Sequence, residues 1–223
     1  MANLRESWEM AKTDQMKGFP NGKHIKGASA PQEKAIFFDR DGTLIQHREY
    51  LTEISDIQLF DETWKALRLL NQHQIKSIVV TNQSAIARGL LSEEELMSIH
   101  SEIQSQLKCF GSSLNSFYYC PHHPTEGNGT YRKNCVCRKP QPGLIVRAAN
   151  DLGLSLAHSF MVGDSESDIE AGKRAGCRTV LITNSSYQRD RVVSWSEMPE
   201  PDFEATDILS AVNWILGEII ERS

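Results

Sequence analysis

The sequence predicts an α/β fold with three layers, in which an open parallel sheet lies between helices that pack on both of its faces. Short apolar runs alternate with segments of helical period, which is typical of parallel strands joined by helical crossovers. The chain has 223 residues, enough for one such domain plus a tail. Polar and acidic residues follow the apolar runs directly, and an open parallel sheet binds its ligands at that edge.

Five strands and five helices are predicted in alternation. The strands are apolar, β-branched or aromatic runs at 35–38, 77–80, 116–119, 159–162 and 178–182. The helical segments are 63–72, 92–108, 144–152, 167–175 and 208–220. Ser92 with Glu95 three residues later forms a capping-box pattern, and Gly176 follows a helix where a C-terminal glycine is expected.

The chain divides into an arm and a core domain. Residues 1–32 are polar, contain several glycines and lack a strong period, so we expect an arm outside the core, in which 4–16 could form a short helix. Residues 33–223 form the predicted domain, with a long Cys-containing loop at 120–137. The arm has no apolar signal segment, so a cytoplasmic location is expected.

Composition restricts the partners. The net charge is −5 and the pI is about 5.8, whereas nucleic-acid binding needs clustered surplus Lys and Arg. No run approaches the roughly 18 apolar residues of a membrane helix. We therefore expect a protein that binds neither nucleic acid nor membrane, and that holds a small anionic substrate with local charges and a metal. A monomer is expected as well, although composition does not determine the oligomeric state.

Two acidic residues follow the first predicted strand. Asp39 and Asp41 belong to Asp-Arg-Asp-Gly-Thr. One carboxylate can attack phosphorus and form an acyl phosphate, and a second can protonate the leaving group and then deprotonate water. Gly42 would permit the sharp turn. The alternative is a loop start with solvated acids, since Asp-x-Asp-Gly is common in turns.

Two further segments offer anion ligands. The second strand ends in Thr81, Asn82, Gln83 and Ser84, whose hydroxyls and backbone N–H groups suit phosphate. Lys139 can neutralise a transferring phosphoryl group, and Arg138 can pair with a second anion in bidentate fashion. An ordinary loop opening and a solvated basic patch are the alternatives.

The fourth predicted strand ends in Gly-Asp-Ser-Glu-Ser-Asp at 163–168. Acidic residues after a glycine turn suit Mg²⁺, which prefers oxygen ligands. The alternative is an acid that caps the next helix, and of the two, Asp168 fits that structural role better than Asp164.

Three of the five cysteines lie within 18 residues. Cys120-x-His122 and Cys135-x-Cys137 give three thiolates and one imidazole, the set of a closed, structural, tetrahedral Zn²⁺ site. His123 is a rival to His122, and unligated thiols are the alternative to a metal site. Because Cys137 directly precedes Arg138, fixing this loop would also fix the two cations.

Taken in order, these segments resemble the haloacid dehalogenase (HAD)-like phosphatases. The matching pieces are Asp-x-Asp-Gly-Thr at 39–43, a strand-end Thr81, Lys139 and Gly-Asp-x-x-x-Asp at 163–168. The resemblance implies a Rossmann-like sheet of the HAD type and Mg²⁺-dependent phosphomonoester hydrolysis. The implied roles are Asp39 as nucleophile, Asp41 as general acid/base, Thr81 and Lys139 as phosphoryl ligands, and the Asp39 side chain, Asp41 carbonyl and Asp164 carboxylate as Mg²⁺ ligands.

Three longer strings resemble the D-glycero-D-manno-heptose 1,7-bisphosphate 7-phosphatase family, which makes heptose for bacterial lipopolysaccharide or nucleotide-activated heptoses. They are Thr-Asn-Gln-Ser-x-Ile-Ala-Arg-Gly at 81–89, Cys-Pro-His-His-Pro at 120–124 and Cys-x-Cys-Arg-Lys-Pro at 135–140. The resemblance implies a capless domain with a zinc loop and a phosphorylated sugar as substrate. The implied substrate-binding residues are Tyr50, Asn82, Gln83, Ser84 and Arg138.

The resemblance is incomplete near the predicted sugar site. Residues 47–50 read His-Arg-Glu-Tyr, whereas the family carries Asp-His-Gly before the tyrosine, and Ser165 stands where a lysine is usual. Both departures concern the substrate. One alternative is a histidinol-phosphate or other small-molecule phosphatase, although the twelve residues between His122 and Cys135 favour the heptose enzymes. A second alternative is a catalytically inactive, zinc-stabilised binding module.

Overall fold

One parallel sheet organises the domain. The computed structural model describes residues 33–127, 129–183 and 199–221, and its six strands within these ranges have the order β3-β2-β1-β4-β5-β6. All neighbouring strands are parallel. The strands are β1 (Ala35–Phe38), β2 (Lys76–Asn82), β3 (Ser116–Cys120), β4 (Phe160–Gly163), β5 (Arg178–Ile182) and β6 (Phe203–Ala205). The predicted open parallel sheet is confirmed.

Helices connect the strands at the predicted places. They are α1 (Asp61–Gln72), α2 (Ser84–Ala87), α3 (Glu93–Cys109), α4 (Gly143–Leu152), α5 (Glu166–Ala175) and α6 (Ile208–Glu221), with 3-10 turns at Ile54–Asp56, Gly129–Tyr131 and Leu156–His158. The capping box is confirmed, because Ser92 and Glu95 exchange side-chain-to-backbone hydrogen bonds of 2.7 and 3.1 Å. Gly176 ends α5 with φ +84°, a left-handed conformation that favours glycine.

The core has two parts, one on each face of the sheet. Successive side chains of a strand point to opposite faces, and Phe37 and Phe38 accordingly enter different clusters. Phe38 packs in the cluster formed with α1, α3 and α6, whereas Phe37 packs in the cluster formed with α4 and α5. This arrangement gives the three predicted layers.

One strand and one α-helix were not predicted, nor were the short 3-10 turns. β6 is a three-residue edge strand after Pro201 and Asp202, too short for its alternation to be recognised. The helix α2 is a single turn of four residues, also below the length at which a helical period can be detected. The predicted arm at 1–32, with its helix at 4–16, lies outside the described residues. None of the described helices has the length and apolar character needed to cross a membrane.

Strand order determines where ligands can bind. The chain leaves β1 for β2 and β3 on one side, and then returns to β4 on the other side of β1. A crevice forms outside the carboxyl ends of the strands at such a switch point. The predicted polar segments after β1, β2 and β4 all end at this edge of the sheet.

Candidate active site

The loops after β1 and β4 are in direct contact. The backbone N–H of Asp39 donates to the Val162 carbonyl oxygen at 3.0 Å. Gly42 has φ +83°, and a Cβ atom at this position would lie 2.1 Å from Oδ2 of Asp164. Only glycine therefore allows the turn to approach Asp164 this closely. This contact brings the two predicted acidic segments together.

Three carboxylates converge at this point. Oxygen atoms of Asp39, Asp164 and Asp168 lie within 4.8 Å of one another. Lys139 Nζ lies 2.8 Å from Asp39 Oδ1 and 2.6 Å from Asp168 Oδ1. Burial raises the pKa of Asp39, and the Lys139 ammonium opposes that shift. Burial alone would lower the pKa of Lys139, but the neighbouring carboxylates raise it overall, so the lysine stays charged.

Asp168 is part of this site. The sequence favoured a purely structural role for it, and the structure adds a second one. The Asp168 side chain is fully buried, and Oδ2 accepts hydrogen bonds from the Ser165 hydroxyl and backbone N–H at 2.6 and 3.1 Å. Its other oxygen holds Lys139. Asp168 thus caps α5 and also fixes the lysine against the site.

Asn82 holds the same lysine by its backbone. The Asn82 amide donates to the Lys139 carbonyl oxygen at 3.0 Å and accepts from the Lys139 N–H at 3.0 Å. These two bonds join the end of β2 to the basic segment. They give Asn82 a positioning role that its sequence-based assignment to substrate binding did not include.

Asp41 faces the same cavity and has several donors. Arg40 contacts both of its carboxylate oxygens, and Gln83 Nε2 donates to Oδ2 at 3.0 Å. Gln83 Nε2 also donates to Thr81 Oγ1 at 2.9 Å. The buried amide of Gln83 therefore links the predicted acid/base to the predicted phosphoryl ligand.

The cavity above these groups has a volume of about 580 Å³. All the predicted catalytic and substrate-binding residues line it: Asp39, Asp41, Tyr50, Thr81, Asn82, Gln83, Ser84, Arg138 and Lys139, together with Asp164. The segment 47–50 and residues 165–167 complete its walls. The structure thus gathers segments that are distant in sequence around one cavity.

The predicted metal loop brings four side chains together. Cys137 Sγ lies 3.1 Å from Cys120 Sγ and 3.3 Å from Cys135 Sγ, and His122 Nδ1 lies 3.3 Å from Cys137 Sγ. All four ligand atoms lie within 4.8 Å of one another, close enough to share one ion. Tetrahedral Zn²⁺ with Zn–S bonds of about 2.3 Å would hold its sulfur ligands about 3.8 Å apart, so the sulfurs would move apart slightly on binding it. Burial lowers the pKa of His122, which favours the neutral imidazole that a metal requires. His123 Nδ1 instead accepts the Glu126 N–H at 2.9 Å.

The loop is attached to the cavity wall. Arg88 forms an ion pair with Glu126 and lies over the Tyr50 ring, 5.3 Å from its centroid. A Cβ atom at Gly127 would lie 1.9 Å from the Ala87 carbonyl oxygen, so the loop backbone packs directly on α2. Arg138 Nη1 donates to the His122 carbonyl oxygen at 3.1 Å. The metal loop therefore contacts two sides of the cavity.

Known proteins resemble this chain over most of its length. It is 44% identical over 151 residues, covering 67% of the chain and 82% of the relative, to D-glycero-β-D-manno-heptose-1,7-bisphosphate 7-phosphatase of Pasteurella multocida. D-glycero-α-D-manno-heptose-1,7-bisphosphate 7-phosphatase of Burkholderia mallei is 36% identical to the chain. That alignment covers 68% of this chain and 79% of the relative. The family model described as HAD-hydrolase-like matches residues 136–211.

The chain belongs to the heptose bisphosphate phosphatase family of HAD hydrolases. A crystal structure of D,D-heptose 1,7-bisphosphate phosphatase from B. bronchiseptica, complexed with magnesium and phosphate, superposes with a TM-score of 0.73 at 29% identity. The superposition covers 83% of this chain and 99% of the B. bronchiseptica protein. This phosphatase therefore has the HAD-like fold predicted from its motifs, and its relatives favour the enzymatic interpretation over the inactive binding module.

Two charged or polar residues of this phosphatase's site were missed in the sequence. Arg40 was treated as the variable position between two aspartates, yet it is 1% exposed and contacts Asp41. His100 is buried beside it. The sequence did carry a signal for His100, because it falls four residues after Leu96 on the apolar face of α3, where a polar side chain needs a partner.

Proposed function

We propose that this phosphatase removes the 7-phosphate of D-glycero-D-manno-heptose 1,7-bisphosphate through a phosphorylated Asp39. An Asp39 oxygen attacks phosphorus, and the bond from phosphorus to the C7 oxygen breaks. Asp41 gives its proton to that oxygen, then takes a proton from the water that attacks the acyl phosphate, which releases phosphate and free Asp39. The observation that carries this proposal is the placement of Asp39 between Lys139 and Asp164 at the switch point.

The oxygen ligands at the site suit Mg²⁺. We assign Asp39, Asp164 and the Asp41 carbonyl to the ion, since Mg²⁺ prefers hard oxygen ligands and few protein groups. Asp168 is left out, because its oxygens already hold Lys139 and Ser165. When bound, Mg²⁺ neutralises charge on the phosphoryl group being transferred. Thr81 and Lys139 support the same group with a hydroxyl and an ammonium.

Substrate recognition falls to the remaining cavity residues. We assign contacts with the sugar and its phosphates to Tyr50, Ser84 and Arg138, which line the cavity. Asn82 acts mainly through Lys139, and the Gln83 amide, predicted from the sequence to bind substrate, acts through its bonds to Asp41, Thr81 and Arg40. The proposal is tested by phosphate release from the heptose bisphosphate, sugar monophosphates and histidinol phosphate. The highest kcat/KM is expected for the bisphosphate. A preference for histidinol phosphate would replace the heptose assignment while keeping the phosphatase mechanism.

Arg138→Ala is expected to affect bisphosphate substrates selectively. Lys139 and Mg²⁺ suffice for the reacting phosphoryl group, whereas the planar guanidinium of Arg138 suits a second phosphate. We expect kcat/KM for the bisphosphate to fall at least about tenfold, about 1.4 kcal/mol of transition-state binding. The same enzyme should lose little on a sugar monophosphate. Steady-state kinetics on the two substrates measure the difference.

The matched control is Arg147→Ala on α4, an exposed arginine that does not line this cavity. It should leave both substrates unaffected. Equal losses on both substrates in Arg138→Ala would instead assign Arg138 to the reacting phosphate or to the loop, through its bond with the His122 carbonyl.

The metal loop is proposed to hold one structural Zn²⁺ through Cys120, His122, Cys135 and Cys137. The closed set leaves no position open for catalysis. We place the protein in the cytoplasm, where thiols are kept reduced and so can bind zinc. We also propose that it acts as a monomer on a free phosphorylated sugar.

Elemental analysis is expected to find one zinc per chain in protein purified without chelator. His122→Ala should lower that content strongly, because a four-coordinate site loses one of its ligands. His123→Ala is the matched control and should retain zinc, since its ring nitrogen accepts a backbone hydrogen bond. Zinc loss in His123→Ala with retention in His122→Ala would reverse the assignment of the two histidines.

A further inference from the structure

Arg40 is a charged side chain at the floor of the cavity. It is 1% exposed and is among the largest fully buried side chains of the described residues. A guanidinium removed from water is unfavourable unless it is paired and hydrogen-bonded. Its burial next to the proposed acid/base therefore calls for an explanation from its contacts.

The Arg40 fork is directed at one carboxylate. Nε donates to Asp41 Oδ2 at 3.1 Å, and Nη2 donates to Asp41 Oδ1 at 3.0 Å while also lying 2.9 Å from Oδ2. Such two-point pairing restrains both the position and the plane of a carboxylate. A side chain that only neutralised charge would not need to contact both oxygens.

The other side of the guanidinium is fixed to two further elements. Nη2 also donates to Gln83 Oε1 at 3.0 Å, and Nη1 lies 3.4 Å from His100 Nε2. Burial, and secondarily the Arg40 charge, lower the pKa of His100 well below its ordinary value, so its ring nitrogen can accept. The His100 ring stacks on Phe117 with centroids 4.5 Å apart. The fork thus rests on groups from the end of β2, α3 and β3.

The donors around Asp41 are distributed unequally. Oδ2 accepts from Arg40 Nε and from Gln83 Nε2 and also lies 2.9 Å from Arg40 Nη2, whereas Oδ1 shares that same Nη2 at 3.0 Å. An ionised carboxylate oxygen has about two lone-pair sites. Oδ1 therefore retains one that can carry a transferable proton. The Asp41 side chain lines the cavity and is 18% exposed, so this proton can reach a leaving group.

We propose that Arg40 is a positioning residue that, with Gln83, holds Asp41 so that Oδ1 is the atom that delivers the proton to the leaving oxygen. This inference rests on the proposed phosphoaspartate mechanism. In that mechanism Arg40 contacts neither the substrate nor the metal, and it acts only through Asp41. The competing explanation is that Arg40 only joins β1, β2 and α3 in the fold.

The two explanations differ in their dependence on the leaving group. An alkoxide leaving group needs protonation as it departs, whereas the phenolate released from p-nitrophenyl phosphate needs little help. Arg40→Lys keeps the positive charge but cannot form the planar fork. We expect it to lower kcat/KM for the preferred sugar phosphate about 100-fold, a loss within the range that general acid catalysis contributes. For p-nitrophenyl phosphate, kcat/KM should fall less than about fivefold.

A matched control is Arg178→Lys, an arginine with an ion pair to Glu218 at 2.6 Å and no place in the cavity lining. It should leave both rates unchanged. If thermal unfolding shows that Arg40→Lys is poorly folded, Gln83→Met serves as the second variant, because it removes a donor to Asp41 without removing a charge. Its kcat/KM should also fall more for the sugar phosphate than for p-nitrophenyl phosphate, but by a smaller factor than in Arg40→Lys. Equal losses on both substrates in a folded variant would overturn the positioning role.

The inference can fail separately from the function it rests on. If Asp39→Asn hydrolyses each of the two substrates as fast as the wild-type enzyme does, the phosphoaspartate mechanism is wrong. If wild type is active, Asp39→Asn is inactive and Arg40→Lys loses both substrates alike, only the role of Arg40 is wrong.

Discussion

Asp39→Asn is expected to abolish turnover of every phosphomonoester substrate while the protein stays folded. An amide is a poor nucleophile and a weak Mg²⁺ ligand, so formation of the acyl phosphate loses its reacting atom and one metal ligand together. We expect kcat to fall at least about 10⁴-fold, as is common when a nucleophile is removed. Phosphate release under saturating substrate measures this effect.

Stability should survive the same change. Burial disfavours the charged form of Asp39, as its raised pKa indicates, so a neutral amide is tolerated there. Lys139 also keeps Asp168 as a partner at 2.6 Å. Asp151→Asn, an exposed acid on α4, is the matched control and should be fully active. Turnover of Asp39→Asn within tenfold of wild type would remove Asp39 from the nucleophile role.

Cys135→Ala is expected to have the second-largest effect, on stability and on activity together. Loss of a structural metal belongs to the changes that destabilise most, and we expect about 3 kcal/mol or more from denaturant unfolding. kcat/KM should fall as well, because Arg138 and Lys139 directly follow Cys137, and Arg138 bonds to the His122 carbonyl. Zinc content, unfolding and kinetics should change in parallel.

Cys109→Ala is the matched control for that experiment. Cys109 is an exposed free cysteine at the end of α3, outside the metal group, so the change should leave zinc, stability and kinetics near wild type. A Cys135→Ala enzyme that loses zinc but keeps full kcat/KM would show that the loop does not position the two cations.

The strands and their polar ends could be predicted because their signals are local. A buried run followed by Asp39 or Asp164 is visible within a few residues, and parallel strands bring such ends to one edge. The cysteine spacing was likewise sufficient to predict that Cys120, His122, Cys135 and Cys137 come together. These parts of the fold depend on patterns that a single segment contains.

The missed features depend on partners from distant segments. Nothing near Asn82 in sequence indicates that its amide would bond to the Lys139 backbone, 57 positions away. Asp168 looks like an ordinary helix cap until its second oxygen meets Lys139. From the sequence alone, Arg40 would be taken for a solvated side chain. In the structure it is buried against Gln83 after β2 and His100 of α3. Long-range pairing of polar groups is set by packing, which local pattern does not encode.

The floor and rim of the cavity differ in how freely they can change. Gly42 cannot accept even a methyl group, because its Cβ would collide with Asp164, and Lys139 is held by both its backbone and its ammonium. Arg48 and Glu49 on the rim are exposed. Substitutions on the rim can therefore alter which sugar is accepted while the phosphoryl chemistry persists. A library randomised at 47–49 is the economical route to new substrates on this scaffold.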